Sequence, residues 1–171
     1  YAGTLGSPPV ASEHCAASDS GDHLTEQEIV ITCNLLLLAG NLTTTDLIGN
    51  AVRLLLLNPA ELAKLRADPS IINAVVEEVL RYEPPVDITG RIAPGPIEVG
   101  GCPLHAGQSL NVSLRGANRD PEVFDDPHRF DVSRKHKPHV AFGGGAHICI
   151  GAPLARLEAQ VALVRLFDRF P

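Results

Sequence analysis

The stretch Phe142-Gly-Gly-Gly-Ala-His-Ile-Cys-Ile-Gly151 decides how the rest of the chain is read. It spaces Gly143, Gly145 and Gly151 around one cysteine, Cys149, and runs directly into an amphipathic segment. A thiol binds metal as its thiolate, and unpaired N–H groups at a helix start favour that anion. The glycines can adopt positive φ or leave bare backbone against which a flat group can lie. Spacing alone leaves two readings side by side: a metal-holding cysteine, or a tight turn around an inert thiol.

Downstream, Leu154, Leu157, Val161, Val164 and Phe167 recur at helical intervals, so a helix over Ala152–Phe170 is expected with that face buried. Upstream, Arg115 to Val140 is a long polar stretch broken by Asp120-Pro121, Asp126-Pro127 and Lys137-Pro138, with Phe124 and Phe130 as its anchors. A loop of that length in a compact domain is functional or braced against something. Before it, Ile88–Ile92, Ile97–Val99, a Gly100-Gly101 turn and Gln108–Leu114 read as a small hairpin-rich sheet.

The first half is helical. Residues 1–24 show little periodicity and read as loop or as the remnant of a cut element. Thr25-Glu-Gln-Glu28 is a capping box that opens a long helix ending at Asn58-Pro59. That helix is apolar on nearly every side, so it belongs at the centre of other helices. Its pattern breaks at Ala39-Gly-Asn-Leu-Thr-Thr-Thr45, where Gly40 costs about 1 kcal/mol relative to alanine and the Thr43 hydroxyl can bond back to the Ala39 carbonyl. Such a break suits a ligand groove, and equally the close approach of another helix. Two further helices follow, Pro59–Ala67 and one from Asp68-Pro69-Ser70 to Tyr82; on the second, Glu78 and Arg81 share a face. A solvated pair is the plain alternative there.

The 171 residues suit one domain, and 44% hydrophobic with 20% charged residues is ordinary globular usage; 14 Pro and 15 Gly imply many loops. A formal charge of −6 argues against a nucleic-acid binder, which needs a basic face. Four scattered cysteines, without CxxC pairs, fit reduced thiols in the cytoplasm. No leader is visible before Tyr1, and the chain looks like a piece of something longer. Polar residues between Leu35–Ala39 and Leu54–Leu57 are expected to defeat a membrane span.

Taken together, these features resemble the C-terminal half of a bacterial haem-thiolate monooxygenase of the cytochrome P450 superfamily. Phe142–Gly151 matches that family's Phe-Gly-x-Gly-x-His-x-Cys-x-Gly signature, Glu78-Val-Leu-Arg81 its Glu-x-x-Arg pair, Arg129 in Pro-His-Arg-Phe the third member of an ion-pair triad, and Ala39–Thr43 the kink of its long central helix. The resemblance implies a mainly α, multihelical fold with a small β-sheet region, present as its C-terminal haem-binding portion over residues 25–171.

It further implies haem b with Cys149 as axial thiolate, Phe142 and the glycines 143, 145 and 151 around it, and Arg91 and His147 toward the propionates. Ala39, Gly40, Thr43 and Thr44 would face dioxygen, though Leu42 stands where the family carries an acid. Val86, Asp87, Ile88 and Thr89 would line the pocket of a small hydrophobic organic substrate. Independently, charge placement makes Arg134, Lys135 and Lys137 a compact basic run in an acidic chain, on which a ferredoxin or flavodoxin-type donor would dock, with a solvated loop as the plain alternative. Two rivals remain: a catalytically inactive truncated fragment, and a zinc centre built from His136, His139, His147 and Cys149.

Overall fold

The computed structural model describes residues 23–135 and 138–170, so the loop expected over the first two dozen residues lies almost wholly outside the described residues, as do His136 and Lys137. The chain divides into two units, Tyr1–Ala39 and Gly40–Pro171. Its elements in order are α1 (Glu26–Leu57), α2 (Pro59–Ala67), a 3-10 turn (Pro69–Ile71), α3 (Ile72–Tyr82), β1 (Ile88–Ile92), β2 (Ile97–Val99), β3 (Cys102–Leu104), β4 (Ser109–Ser113), α4 (Leu114–Ala117), a second 3-10 turn (Gly145–His147) and α5 (Ala152–Arg169). The architecture is the mainly α one expected, with small sheets.

Local chemistry sets the boundaries. The Thr25 amide and hydroxyl both donate to Glu28 Oε2 at 2.8 Å, and the Glu28 amide returns to Thr25 Oγ1 at 3.3 Å, closing the capping box that opens α1. Asn58 ends α1 by donating from Nδ2 to the Leu54 carbonyl at 2.8 Å, and Pro59 starts α2 where its missing N–H costs nothing. Asp68 caps the next turn, accepting from the Ser70 amide at 3.0 Å.

Two two-stranded sheets form in place of the single one expected. Gly100 and Gly101, at φ 58° and 79°, make a tight turn that folds β3 back onto β2, leaving β1 to pair with β4.

The core of the second unit is α3, whose Val75, Val76, Val79 and Leu80 are fully buried. Leu47, Ala51, Leu54 and Leu55 of α1, Leu62 and Leu65 of α2, and Ala159 and Leu163 of α5 belong to the same cluster with Phe130, Val132 and Ala141. Each buried leucine or valine contributes on the order of 1.5–3 kcal/mol.

The buried face of α5 is not the one its periodicity suggested. Leu154, Leu157 and Val161 are each more than half exposed and Val164 is exposed, whereas Ala152, Ala159 and Leu163 are buried. The larger apolar residues do share a stripe, but α3 packs on the narrower side formed by the alanines. On α1, Leu35 to Leu38 are likewise exposed. By length and composition α1 could cross a bilayer, its polar residues notwithstanding, a test that the core helix of a soluble protein also passes.

Candidate functional site

Glu78 and Arg81 lie one turn apart on α3, both almost fully buried. The Arg81 guanidinium donates from Nε and Nη2 to the two Glu78 oxygens at 2.8 Å each. Its remaining hydrogens go to carbonyls of the long loop: Asn118 at 3.0 Å, Pro127 at 2.9 Å and Arg129 at 3.1 Å. All five N–H groups of the fork are therefore used, the condition under which a buried cation is tolerated. The face of Phe124, itself 2% exposed, lies 5.4 Å from the guanidinium carbon. The pair is a buried brace and not a surface ornament.

The third member of the network is Arg134. Its Nε lies 3.2 Å from Glu78 Oε2, and its other nitrogens donate to the carbonyls of Asp125, Asp126 at 3.1 Å and Arg129 at 2.9 Å. Arg129, given that place from the sequence, contributes only its carbonyl; its side chain is 64% exposed, with Asp131 3.8 Å away. The same burial removes Arg134 from the external docking role expected of it, since its side chain is 14% exposed. Lys135 remains exposed, and Lys137 lies outside the described residues. The Asp131 amide adds a further hydrogen bond to Glu78 Oε1 at 3.0 Å.

Asn118 couples this brace to the cysteine loop. Its carbonyl accepts from Arg81, and its Oδ1 accepts the Val140 amide at 2.8 Å, two residues before Phe142. From Phe142 the loop turns through Gly143 and Gly145, at φ 73° and 70°, conformations that cost a side-chain-bearing residue roughly 1–2 kcal/mol. The Cys149 amide then donates to the Phe142 carbonyl at 3.0 Å, closing the loop on itself. Cys149 is exposed. A Cβ built on Gly151 would stand 3.8 Å from its Sγ, so the sulfur lies beside the residue that starts α5.

A second buried carboxylate, next to the first, was not anticipated from the sequence. Glu77 accepts from Arg156 Nε at 2.5 Å and Nη2 at 3.2 Å, and pairs with His139 Nε2 at 3.1 Å. Burial pushes its carboxyl up, but hydrogen bonds from His139 and Arg156, with the Arg156 charge, outweigh this and bring it down to about 2. Adjacency to Glu78 on a buried helix was the one available signal. His139 is thereby committed to a structural pairing, and among the described residues no cluster of three or more His, Cys, Asp or Glu could hold a metal.

An open cleft of about 650 Å³ lies between α1 and α5, within the 300–1,000 Å³ range of small-molecule sites. Gly40, Thr44 and Thr45 form one wall, and Leu157 and Val161 the other. Thr44 is buried and Thr43 half-buried, while Leu42 is 65% exposed. Helix α1 runs unbroken through this stretch, and Thr45 makes the back-bond to the Asn41 carbonyl at 2.9 Å that loosens such a ladder. Arg91 donates to Thr89 Oγ1 at 2.8 Å and to the Gly90 carbonyl at 2.7 Å on β1; it and His147 are exposed. Val86 and Ile88 are exposed too, while the Asp87 carboxylate lies 2.8 Å from Arg115 Nε.

A model of the cytochrome P450 family matches residues 10–171. The chain is 50% identical over 156 residues to cytochrome P450 107B1 of Saccharopolyspora erythraea, covering 91% of this chain and 38% of that protein. It is 47% identical over 150 residues to the biotin biosynthesis cytochrome P450 of Bacillus subtilis, covering 88% and 38%. Among solved structures, CYP109E1 from Bacillus megaterium in complex with corticosterone superposes with a TM-score of 0.87 at 42% identity, over 91% of this chain and 42% of that one. P450BioI in complex with an acyl carrier protein ligated to hexadec-9Z-enoic acid gives 0.84 at 47% identity, over 86% and 39%. The chain thus spans about two fifths of the length of the curated relatives it matches.

Proposed function

Since the chain belongs to the cytochrome P450 family, we propose that it forms the haem-binding portion of a haem-thiolate monooxygenase that places one oxygen atom of O2 into a small hydrophobic organic substrate. The observation that carries this reading is Cys149, exposed on a glycine loop whose amide is tied to Phe142 and which is joined through Asn118 to the buried Glu78–Arg81–Arg134 brace.

The residues suit a haem by their chemistry. One thiol stands beside the residue that starts α5, Gly143 and Gly145 keep side chains off the loop, and Leu157 and Val161 give the cleft an apolar wall. When bound, haem iron supplies the activation of dioxygen, with a thiolate ligand favouring O–O cleavage. Cys149 Sγ would hold the iron, and the exposed Arg91 and His147 would meet the haem's carboxylates as charge-assisted donors. Gly40 leaves room on the opposite wall. Thr44, on the cleft wall, and Thr43 would each offer a hydroxyl able to hold a proton. With leucine at position 42 the carboxylate is missing from its usual place, so on this reading either water supplies the proton to Thr43 or Thr44 or coupling is poor.

The exposed leucines of α1, with Leu154 and Val164 of α5, are on this reading surfaces that the remainder of the protein covers, and the whole is a cytoplasmic enzyme. A ferredoxin or flavodoxin-type donor delivers the electrons, with Lys135 among the cations that attract it. Metal and haem analysis of the full-length protein tests the assignment. Stoichiometric haem iron is expected; stoichiometric zinc without haem would overturn it.

A further inference from the structure

We propose that Glu77 is a positioning residue for the Cys149 loop, gripping both flanks of the loop at once through His139 and Arg156. The proposal rests on the reading that Cys149 ligates haem iron. His139 precedes Phe142 by three residues and Arg156 follows Cys149 by seven, yet both converge on this one carboxylate, 62 and 79 residues away in the chain. Neither contact involves the neighbouring Glu78, which is occupied by Arg81, Arg134 and the Asp131 amide.

The geometry leaves little freedom. The Ala141 amide donates to His139 Nδ1 at 3.2 Å, so the ring's hydrogen sits on Nε2 and points at Glu77 Oε2. Arg156 presents its fork to both oxygens of the same carboxylate, an arrangement that fixes direction as well as distance. That guanidinium carbon lies 4.6 Å from the centroid of Phe142, whose ring centroid is 6.2 Å from that of His139. Phe142 is therefore held by the two groups that Glu77 holds. Its carbonyl is the acceptor for the Cys149 amide at 3.0 Å, so the position of the cysteine follows from the position of Phe142. A carboxylate on α3, far from the thiol in the chain, thus sets where the thiol stands.

The test uses the full-length protein as wild type, Glu77→Gln and Arg156→Lys, the last keeping the cation while losing the fork. Amide hydrogen exchange over residues 140–151 is read first, without haem. Exchange about tenfold faster in both variants is expected, with the hairpin over residues 97–104 unchanged. The reduced carbon monoxide complex of the haem-loaded protein is read second, and a smaller fraction with the far-red Soret band of a thiolate ligand is expected in both. Should Glu77→Gln fail to fold, Arg156→Lys decides alone. Unchanged exchange in the loop, or exchange rising equally throughout the chain, overturns the proposal, as does failure of both variants to fold. A wild type without the far-red band would instead refute the haem-thiolate reading and leave the exchange measurement to judge Glu77.

Discussion

Arg134 Nε lies 3.2 Å from Glu78 Oε2, completing a buried charge network in which Arg129 takes part only through its backbone. Two substitutions five residues apart should therefore differ sharply. Arg134→Ala leaves the Glu78 carboxylate with Arg81 alone as its cation and removes a donor from the Asp125 and Asp126 carbonyls, while the Arg129 carbonyl keeps its bond from Arg81, at a cost of about 3 kcal/mol. Arg129→Ala keeps the carbonyl and should change stability by no more than about 0.5 kcal/mol. Urea unfolding of the two variants makes the comparison, and equal losses would contradict the placement.

Arg81 is the donor on which three separate loop carbonyls depend. Lysine keeps the charge but offers three hydrogens from a single nitrogen, which cannot reach Glu78 and all three carbonyls together. Arg81→Lys is expected to lose about 2–4 kcal/mol, and proteolysis should open the 118–134 segment first. Wild-type resistance in that segment would show that charge alone suffices.

Glu77 carries a pH signature. Its carboxyl sits at about 2 when folded, against an ordinary value of 4.5, so its stabilisation is fully present above about 4.5 and is lost as pH falls from there toward 2. The deficit of Glu77→Gln relative to wild type should be about 2–3 kcal/mol at neutral pH and shrink as pH is lowered through that window. Unfolding midpoints at pH 7, 4 and 3 check it; a deficit independent of pH would mean that the ionised form is not the one being held.

Gly143, at φ 73°, has the His147 carbonyl 3.9 Å from where a Cβ would stand, so space is available and backbone conformation is the constraint. Gly143→Ala should cost roughly 1–2 kcal/mol and loosen the Cys149 loop, while Gly144→Ala, at φ −164°, should be nearly silent. Thermal unfolding of the pair separates conformational strain from a crowding effect.

These contrasts follow the line between what local chemistry announces and what packing decides. The capping box at Thr25, the stop at Asn58-Pro59 and the two-glycine turn are local, and each appears where the residues put it. The cysteine loop and the Glu78–Arg81 pair were legible because their spacing is itself the geometry. The long loop has no period to read, so nothing distinguished the side chain of Arg134 from that of Arg129. Helical spacing grouped Leu154, Leu157 and Val161 correctly on one stripe, yet could not say that α3 would cover the alanine side instead. The Glu77 cluster joins positions 77, 139 and 156, and no local pattern connects them.

Cys149 would hold the iron of a haem through its sulfur. The visible spectrum of the reduced carbon monoxide complex of the full-length protein, compared with that of Cys149→Ala, tests it most directly. A Soret band shifted strongly to the red is expected in the wild type, and its loss in the variant. A wild type without the shift, or a variant that keeps it, would contradict that ligation.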